Sequence, residues 1–245
     1  MGQSKLYIGK ACAYCRAPGS STTGDHVIAR AFFLEEDRAD LPKVPACAPC
    51  NSRKSALENY VATTLLIGSR HVEGDRYRQE LVRPRLEKNS RLRRETGLGT
   101  QPKWVRAGAL YTLAHPVKVE ADKINELLAM IVMGLFHHHF GEPLSEDFEP
   151  DISMFHPEHE GALLASLSPM FPAGLTRVAS NLGRGSFAYD GARSPINPAL
   201  SVWQLSLHGG IPLHGENSPP EGVNRWWGIT RPTQAAIEAA RARQR

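Results

Sequence analysis

The sequence predicts an α+β fold in two parts, a small N-terminal module and a larger C-terminal domain. All four cysteines of the 245 residues lie between Cys12 and Cys50, in two pairs of equal spacing. Beyond them, one long apolar stretch with helical spacing precedes several short strand-like segments, which is typical of a buried helix packed against an antiparallel sheet. We expect the module to span residues 1–68, a basic helical linker to span 69–100, and the α+β domain to span 101–245.

The two cysteine pairs have the spacing of a metal site. Cys12 and Cys15 form one Cys-x-x-Cys turn, and Cys47 and Cys50 form the other. Two such turns supply the four tetrahedral sulfur ligands that structural zinc prefers, so we expect one Zn²⁺ per chain. Four thiolates close the coordination shell, so this zinc would be structural and not catalytic. Because no cysteine is left over, the pattern favours a reducing compartment over a disulfide scaffold.

The thirty-one residues between the pairs exceed the usual spacing of a zinc ribbon, and they carry an acid beside a histidine. Asp25 and His26 lie in a segment, Thr22–Ala29, that suits a strand. After a polar loop over 35–43, the chain returns to the second cysteine pair. Ahead of the first pair, Leu6–Ile8 suggests a short edge strand.

The residues after Cys50 have helical spacing. Asn51 takes the position of an N-cap, and Gly68 takes that of the residue that follows a helix. The predicted order is therefore strand, strand, helix, and Asn51 would lie where helix N–H groups and the helix dipole favour an anionic phosphate. The face that repeats at helical spacing consists of Leu57, Tyr60, Val61, Thr64 and Leu65.

This set of residues resembles the HNH (ββα-metal, or treble-clef) endonuclease family. It is most similar to the zinc-stapled branch that includes the endonuclease VII type and bacterial HNH proteins of unknown role. The resemblance covers residues 10–67. Many family members carry an asparagine before the second cysteine pair, where this chain has Leu41-Pro42-Lys43. That departure weakens assignment to a subfamily more than it weakens the nuclease interpretation. The residues that carry the resemblance are Cys12, Cys15, Asp25, His26, Cys47, Cys50 and Asn51.

Hydrolysis of a phosphodiester needs a nucleophilic water, a base and a cation on the transition-state charge. His26 is the candidate general base, because a neutral imidazole can accept the water proton near pH 7. Asp25 and Asn51 would supply hard oxygen ligands for one Mg²⁺ or Mn²⁺ ion. The family resemblance implies that this ion neutralises the leaving 3′-oxygen, which gives 5′-phosphate ends. Glu58, seven residues after Asn51, is either a further metal ligand or a salt-bridge partner.

Positive charge is concentrated beside this module. Residues 70–94 contain nine Lys and Arg against four acids, a net charge of +5, whereas the whole protein carries +4. A concentrated basic segment is the electrostatic footprint of nucleic-acid binding, although a solvated helical face interrupted near Pro84 would have the same composition. The candidate nucleic-acid contacts are Arg53, Lys54, Arg76, Arg78, Arg83 and Arg85.

The C-terminal domain has no motif that identifies a function. After a linker over 95–103, Trp104–Ala114 suggests a strand. The stretch Ile124–Phe136 keeps helical spacing and is apolar on both faces, which indicates a buried helix. The remaining predicted elements are a helix at Pro157–Leu167, strands at Ser186–Tyr189, Ser201–His208 and Ile211–Leu213, and a terminal helix over Thr233–Arg245.

Two features of this domain suggest sites but have plainer explanations. The histidines His137–His139 are consecutive, so on a helix they point in different directions, and we interpret them as the end of the core helix. Trp226 and Trp227 could stack on bases. Aromatic side chains of an α+β domain are more often part of its core, and we place them there.

No secretory signal or membrane span is predicted, because the N-terminus lacks an apolar region and the longest apolar run, Leu127–Phe136, is too short to cross a bilayer. We therefore expect a cytoplasmic protein. The leading hypothesis is a metal-dependent endonuclease that cleaves DNA. The alternatives are a zinc-stabilised module that binds nucleic acid without cleaving it, and an RNA-cleaving toxin or defence nuclease. Residues 101–245 could recognise a nucleic-acid structure, bind a protein partner or form a homodimer.

Overall fold

The first two strands form a short antiparallel hairpin, and a long helix follows it at once. β1 (Thr23–His26) pairs with β2 (Lys43–Ala46), and α1 (Ala48–Ile67) begins after Cys47. This is the predicted order of strand, strand and helix. The computed structural model of the chain describes residues 3–69, 71–97, 101–107, 110–114, 117–155, 157–172, 174–209 and 225–243.

The helix α1 starts one turn earlier than predicted. Cys47 is its N-cap, and Pro49 occupies the first turn, where the missing N–H of proline leaves no hydrogen bond unmade. The backbone N–H of Asn51 donates to the carbonyl of Cys47 at 3.0 Å, so Asn51 lies inside the helix and is not its cap. The helix ends at Gly68, as predicted.

The segment ahead of the first cysteine pair is not the predicted edge strand. Residues Gln3–Leu6 form a turn of 3₁₀ helix. The ring of Tyr7 packs against the backbone of Gly24 in β1 so closely that a Cβ at this glycine would clash with it. Side-chain packing therefore fixes this segment on the hairpin in place of strand pairing.

The basic segment folds into consecutive short helical pieces. Wide π turns precede Pro84, because a proline lacks the N–H and clashes with the carbonyl four residues earlier in a regular α-helix. The expected interruption near Pro84 is thus a widening of the helix, and the break comes at Asn89, whose side chain caps the last piece. The pieces are α2 (Gly74–Arg76), a π-helix (Tyr77–Val82), α3 (Arg83–Lys88) and α4 (Ser90–Glu95).

A second hairpin follows the basic segment. The sequence predicts one strand over Trp104–Ala114, but the chain forms two, β3 (Lys103–Ala107) and β4 (Leu110–Ala114), which pair antiparallel. Both halves are rich in strand-forming residues, and Gly108 is the only turn signal in the sequence between them. The single predicted strand is therefore wrong at its centre.

The helix α5 (Ala121–Phe140) is the central helix of the molecule, as the sequence predicts. It ends at Gly141, whose φ of +77° is the left-handed conformation that glycine adopts without strain. None of the described helices, α5 included, combines the length and the apolar composition that a bilayer crossing requires.

The C-terminal elements form one antiparallel sheet with a helix on each face. Its strands are β5 (Phe148–Phe155), β6 (Thr176–Leu182), β7 (Phe187–Arg193), β8 (Ser201–Leu207) and β9 (Arg225–Pro232). They lie in the order β5-β9-β8-β7-β6. The helix α5 packs on one face, and α6 (Pro157–Leu167) packs on the other, where Glu160 accepts a hydrogen bond from Trp227 Nε1 at 3.3 Å. The chain continues past β9 into α7 (Gln234–Arg243).

The sequence located part of this sheet. The strands β7 and β8 and both helices α6 and α7 are where it predicts them, whereas β5, β6 and β9 are additional. The predicted strand Ile211–Leu213 lies outside the described residues. Trp226 and Trp227 are buried in β9, which confirms their place in the core. His139 is also a packing residue, because its ring contacts Trp203.

One hydrophobic core joins the N-terminal hairpin to the C-terminal sheet. Buried side chains from both predicted parts, such as Val27 and Trp203, belong to a single cluster. The helix α5 lies between them. A Cβ at its Gly134 would stand 2.9 Å from Val27 Cγ1, and a Cβ on Gly228 of the sheet would stand 2.6 Å from Cγ2 of Val132. The proposed domain boundaries stay a prediction, while the packing across them is continuous.

Candidate functional site

The four cysteines gather at the base of α1. Their Sγ atoms all lie within 4.8 Å of one another, and Cys15 Sγ is 3.7 Å from Cys47 Sγ. All four are free thiols. Four sulfurs at about 2.3 Å from a tetrahedral zinc ion lie roughly 3.8 Å apart, so the cluster has the dimensions of a zinc site. The cysteines are therefore positioned to hold a metal ion, as the sequence predicts.

The environment of the thiols differs within the cluster. Burial raises the pKa of Cys12, and burial together with the neighbouring sulfurs raises the pKa of Cys50. At Cys15, burial also raises the pKa, but hydrogen bonds from the Ala17 N–H and from the other thiols outweigh it and leave the pKa lowered. Because zinc binds the thiolate form, metal binding at this cluster is coupled to the release of protons.

A buried lysine lies at the centre of the second constellation. The side chain of Lys54 has no exposed surface, and its Nζ is 3.0 Å from Asp25 Oδ2 and also contacts Glu58 Oε1. The same ammonium donates to the carbonyl of His26 at 2.7 Å. The hydroxyl of Tyr14 donates to Asp25 Oδ2 as well. One cation thus holds two carboxylates and the end of β1 together.

The two carboxylates meet His26 at a surface cavity of about 230 Å³. Burial raises the pKa of Glu58, although the Lys54 ammonium lowers it in part. Burial lowers the pKa of His26, and the positive charge of Lys43 lowers it further, so this imidazole is neutral at pH 7. The cavity is lined by Asp25, His26, Ala29, Arg30, Ala31, Ser55, Glu58 and Asn59.

Asn51 is not part of this cavity. The sequence places it beside Asp25 as the second metal ligand, but it does not line the cavity that Asp25 and His26 share. The reason is the earlier start of α1, which puts the middle of the helix and not its first turn opposite β1. Glu58 lines the cavity instead, and its ion pair with Lys54 confirms the expected salt-bridge role.

The structure divides the six cations predicted to contact nucleic acid. Two serve internal contacts: Lys54 is buried, and Arg85 donates to the carbonyl of Ala31 at 2.6 Å. Burial lowers the pKa of Arg85 to about 10, so it stays charged at pH 7. The other four are exposed (Arg53, Arg83) or half-buried (Arg76, Arg78) and are paired with acids, which weakens the electrostatic case for nucleic acid at these positions. The pairs are Arg53 with Glu126, Arg76 with Glu36, Glu73 and Glu80, Arg78 with Asp75, and Arg83 with Glu87.

The helical pattern contains the signal that would have found the buried lysine. Lys54 lies three residues before Leu57 and seven before Val61, so it belongs to the apolar face of α1, and all three are buried. A charged residue on such a face needs a partner. Glu58, one turn further, is that partner. The contribution of Tyr14 has no comparable signal, because it depends on how the first cysteine turn packs under β1.

No protein-family model, no curated protein and no solved structure matches this chain. The function is therefore inferred from the chemistry of the site. A sulfur cluster suited to a structural metal adjoins a cavity with two carboxylates and a neutral imidazole. Such a set can bind a hard cation and accept a proton.

Proposed function

We propose that this chain is a metal-dependent endonuclease of the HNH type that hydrolyses phosphodiester bonds in DNA. The observation that supports it most is the cavity where Asp25, Glu58 and His26 meet, beside a helix whose start carries the four-cysteine cluster. Two carboxylates offer hard oxygen ligands, and an imidazole offers a proton acceptor. These are the two components that metal-assisted hydrolysis of a phosphodiester requires.

Each residue of the cavity has a role in this proposal. Neutral His26 would accept the proton of the attacking water. Asp25 and Glu58 would hold one Mg²⁺ or Mn²⁺ ion, which when bound stabilises the negative charge that develops on the phosphate. Ser55 and Asn59 would form hydrogen bonds to the phosphate oxygens. The zinc at the cysteine cluster would only hold the helix in place.

Lys54 determines how strongly a divalent ion can bind. Its ammonium already contacts both carboxylates, so Asp25, Glu58 and Lys54 together carry one negative charge. A divalent ion therefore binds beside a fixed cation, which lowers its affinity through like-charge repulsion. We expect activity to rise with the concentration of the divalent ion and to be lost in its absence, while the zinc stays bound.

A cleavage assay with a matched pair of histidine variants tests the proposal. The substrates are supercoiled, linear, branched and single-stranded DNA, with Mg²⁺ or Mn²⁺ added to zinc-loaded protein. His26→Ala should slow cleavage by at least about 100-fold, because it removes the general base. His159→Ala changes an exposed histidine of α6 and should leave the rate unchanged. Equal zinc content in both variants shows that the loss is chemical and not structural.

The choice of metal ligand is tested by a second pair. Glu58→Gln should raise the Mg²⁺ or Mn²⁺ concentration needed for half-maximal cleavage, because a neutral amide binds a hard cation more weakly than a carboxylate. Asn51→Ala should change that concentration little, since Asn51 does not line the cavity. The opposite ranking would restore Asn51 as the ligand and remove Glu58.

A second candidate is a zinc-stabilised module that binds nucleic acid without cleaving it. It is favoured by Lys54, whose ammonium pairs with both Asp25 and Glu58 without any divalent ion. This candidate requires salt-dependent binding that survives His26→Ala. It also requires that neither Mg²⁺ nor Mn²⁺ supports cleavage of any substrate. Matched DNA and RNA substrates in the same assay distinguish DNA cleavage from the RNA-cleaving alternative.

A further inference from the structure

The ribbon formed by β3 and β4 exposes large apolar side chains on one face. Trp104 is 69% exposed, Tyr111 68% and Leu113 52%. Trp104 pairs with Leu113 in the register, and Arg106 pairs with Tyr111. Cross-strand partners share a face, and so do residues two apart on one strand, so Trp104, Tyr111 and Leu113 lie on the same side of the ribbon. Among the described residues, the ribbon is a separate two-stranded sheet, and these three side chains are exposed on it.

The charge of the surrounding stretch narrows what this face can bind. Residues 96–119 contain three Lys and Arg and no Asp or Glu, although acids are common elsewhere in the chain. A second copy of the ribbon would bring like charges together, which disfavours a dimer through this face. A polyanion meets no such repulsion. The three basic residues are Lys103, Arg106 and Lys118, of which Lys118 pairs with Glu120 just beyond the stretch.

We propose that the β3–β4 ribbon binds unpaired bases of nucleic acid, which stack on Trp104 and Tyr111 while cations of the same stretch contact the phosphates. Aromatic faces accept any base, and each stacked base contributes about 1–3 kcal/mol. Bases inside a duplex are already stacked on one another, so the ribbon selects single-stranded or branched substrate. This inference rests on the proposed function for the identity of the polyanion, and it adds the form of the strand.

The distribution of tryptophans supplies a direct probe. The chain has four, and Trp203, Trp226 and Trp227 are each at most 5% exposed, whereas Trp104 is largely exposed. Fluorescence that acrylamide can quench therefore comes from Trp104. The experiment titrates His26→Ala full-length protein, zinc-loaded and without added divalent ion, with single-stranded oligothymidylate and with a duplex of equal length. Cleavage is absent under these conditions, so only binding is measured.

The expected result is a saturable loss of Trp104 emission with the single strand and a weaker response to the duplex. Trp104→Ala and Tyr111→Ala should each weaken single-strand binding by about 5–100-fold. Trp104→Phe should keep most of the affinity, because it retains an aromatic face. Ile196→Ala, which removes an exposed apolar side chain outside the ribbon, should leave binding unchanged. Equal melting temperatures in all variants show that they fold.

Three outcomes overturn the inference. One is Trp104 emission that does not change when the single strand saturates the protein. Another is binding within twofold of the parent in both alanine variants. The third is a dimer in sedimentation experiments that Trp104→Ala dissociates, which would make a second copy the occupant. Cleavage by the wild-type chain with unaltered Trp104 emission would leave the proposed endonuclease standing and remove only the ribbon's role.

Discussion

The protein buries polar groups in two regions, and it keeps them charged in one region and neutral in the other. Under β1, the ammonium of Lys54 contacts Asp25 and Glu58. At the end of β8, His208 is fully buried between Phe32 and Tyr77, and neither ring nitrogen has a hydrogen-bond partner among the described residues. The first region keeps its charges by pairing them. The second excludes charge by keeping an imidazole neutral.

This difference in charge distinguishes the candidate functional site from the hydrophobic core. A buried charge pair is a poor source of stability, because the desolvation of both ions offsets their attraction. Such a pair is kept where its charges have a use, and the Asp25–Lys54–Glu58 set adjoins the cavity. The ring of His208 packs against Phe32 and Tyr77, and its nitrogens have no hydrogen-bond partner among the described residues. Burial lowers its pKa to about 3, and the nearby His71 contributes. The two regions should therefore respond differently to substitution and to pH.

The largest expected effect comes from the cysteine cluster, which supports the charged region. Cys47→Ser removes one of four ligands and should abolish tight zinc binding. The hairpin β1–β2 has only two strands of four residues each, too few to be stable alone. Structural zinc contributes apparent binding free energies of about 10–16 kcal/mol in small zinc-binding peptides, so the loss should exceed about 5 kcal/mol here. Metal analysis and thermal unfolding measure it.

The control for this variant is Ser52→Ala, an exposed position on the same helix, which should retain one zinc per chain and the parental melting temperature. Chelation of the wild-type protein should reproduce the effect of Cys47→Ser, and added zinc should reverse it. A wild-type protein that carries no metal after purification, yet melts at the same temperature with and without zinc, would contradict the proposed role of the cluster.

The second largest effect is expected when the ion pairs of Lys54 are removed. Lys54→Met keeps the apolar length of the side chain but leaves Asp25 and Glu58 buried without their cation. Removing one partner of a buried ion pair costs about 3–5 kcal/mol, so we expect a loss of that size in urea unfolding at pH 7. Without the ammonium, the pKa of Glu58, already raised by burial, rises further in the folded state. The folded variant then binds more protons than the unfolded chain, so part of the loss should return as the pH falls toward 5.

Arg53→Met is the matched control, because it removes the neighbouring cation of the same helix. Arg53 is exposed and pairs with Glu126, and an exposed pair contributes less than about 1 kcal/mol. Equal losses in the two variants at pH 7 would mean that Lys54 is hydrated in solution and that the buried triad does not exist. The double change Lys54→Met with Glu58→Gln should recover part of the stability, since it removes one of the two buried charges.

The sequence predicts the elements whose residue pattern is clear. Helical periodicity located α1 and α5, the sequence also placed α6, and strand composition located β7 and β8, which lie inside the sheet. The missed strands have other environments. The strands β5 and β6 form the two edges of the sheet, where few side chains are buried, and β9 is buried on both faces at Trp226 and Trp227. The residues of β6 and β9 do not give the alternation that marks a strand with one buried face, whereas β5 alternates but contains Pro150, which argues against a strand in the sequence.

At the site, the sequence predicts the residues that spacing fixes and misses those that packing fixes. The cysteines and the pair Asp25-His26 follow from spacing, and the cysteines do gather. Which helix residue faces Asp25 depends on the start of α1, and one turn separates the predicted start at Asn51 from the observed one. Glu58, about two turns after Asn51, lies at the cavity in its place, and Lys54, predicted as a surface cation, is internal.

The smallest expected effect concerns His208, and it is seen only when the free energy of unfolding is measured as a function of pH. The folded pKa of His208 lies below the ordinary value of 6.5, so the unfolded chain binds its proton first as the pH falls. The contribution of neutral His208 to the free energy of unfolding is therefore constant above pH 6.5. It is lost between about pH 6.5 and pH 3, by up to about 1.4 kcal/mol per pH unit. Between pH 7 and pH 5 the free energy of unfolding should fall by about 2 kcal/mol from this residue alone. His208→Phe should remove that part of the slope.

The wild type and His208→Phe are compared by how steeply the free energy of unfolding changes with pH, and not by its absolute value. His208 has a φ of +50°, so phenylalanine there adds a backbone cost that is the same at every pH. Groups elsewhere in the chain that titrate in this range are common to both proteins, so their contributions to the slope cancel in the difference. If His208→Phe and the wild type lose stability in parallel from pH 7 to pH 5, then the folded protein in solution offers His208 a hydrogen-bond acceptor that stabilises its protonated form. In that case the contrast between the charged and the neutral region does not hold.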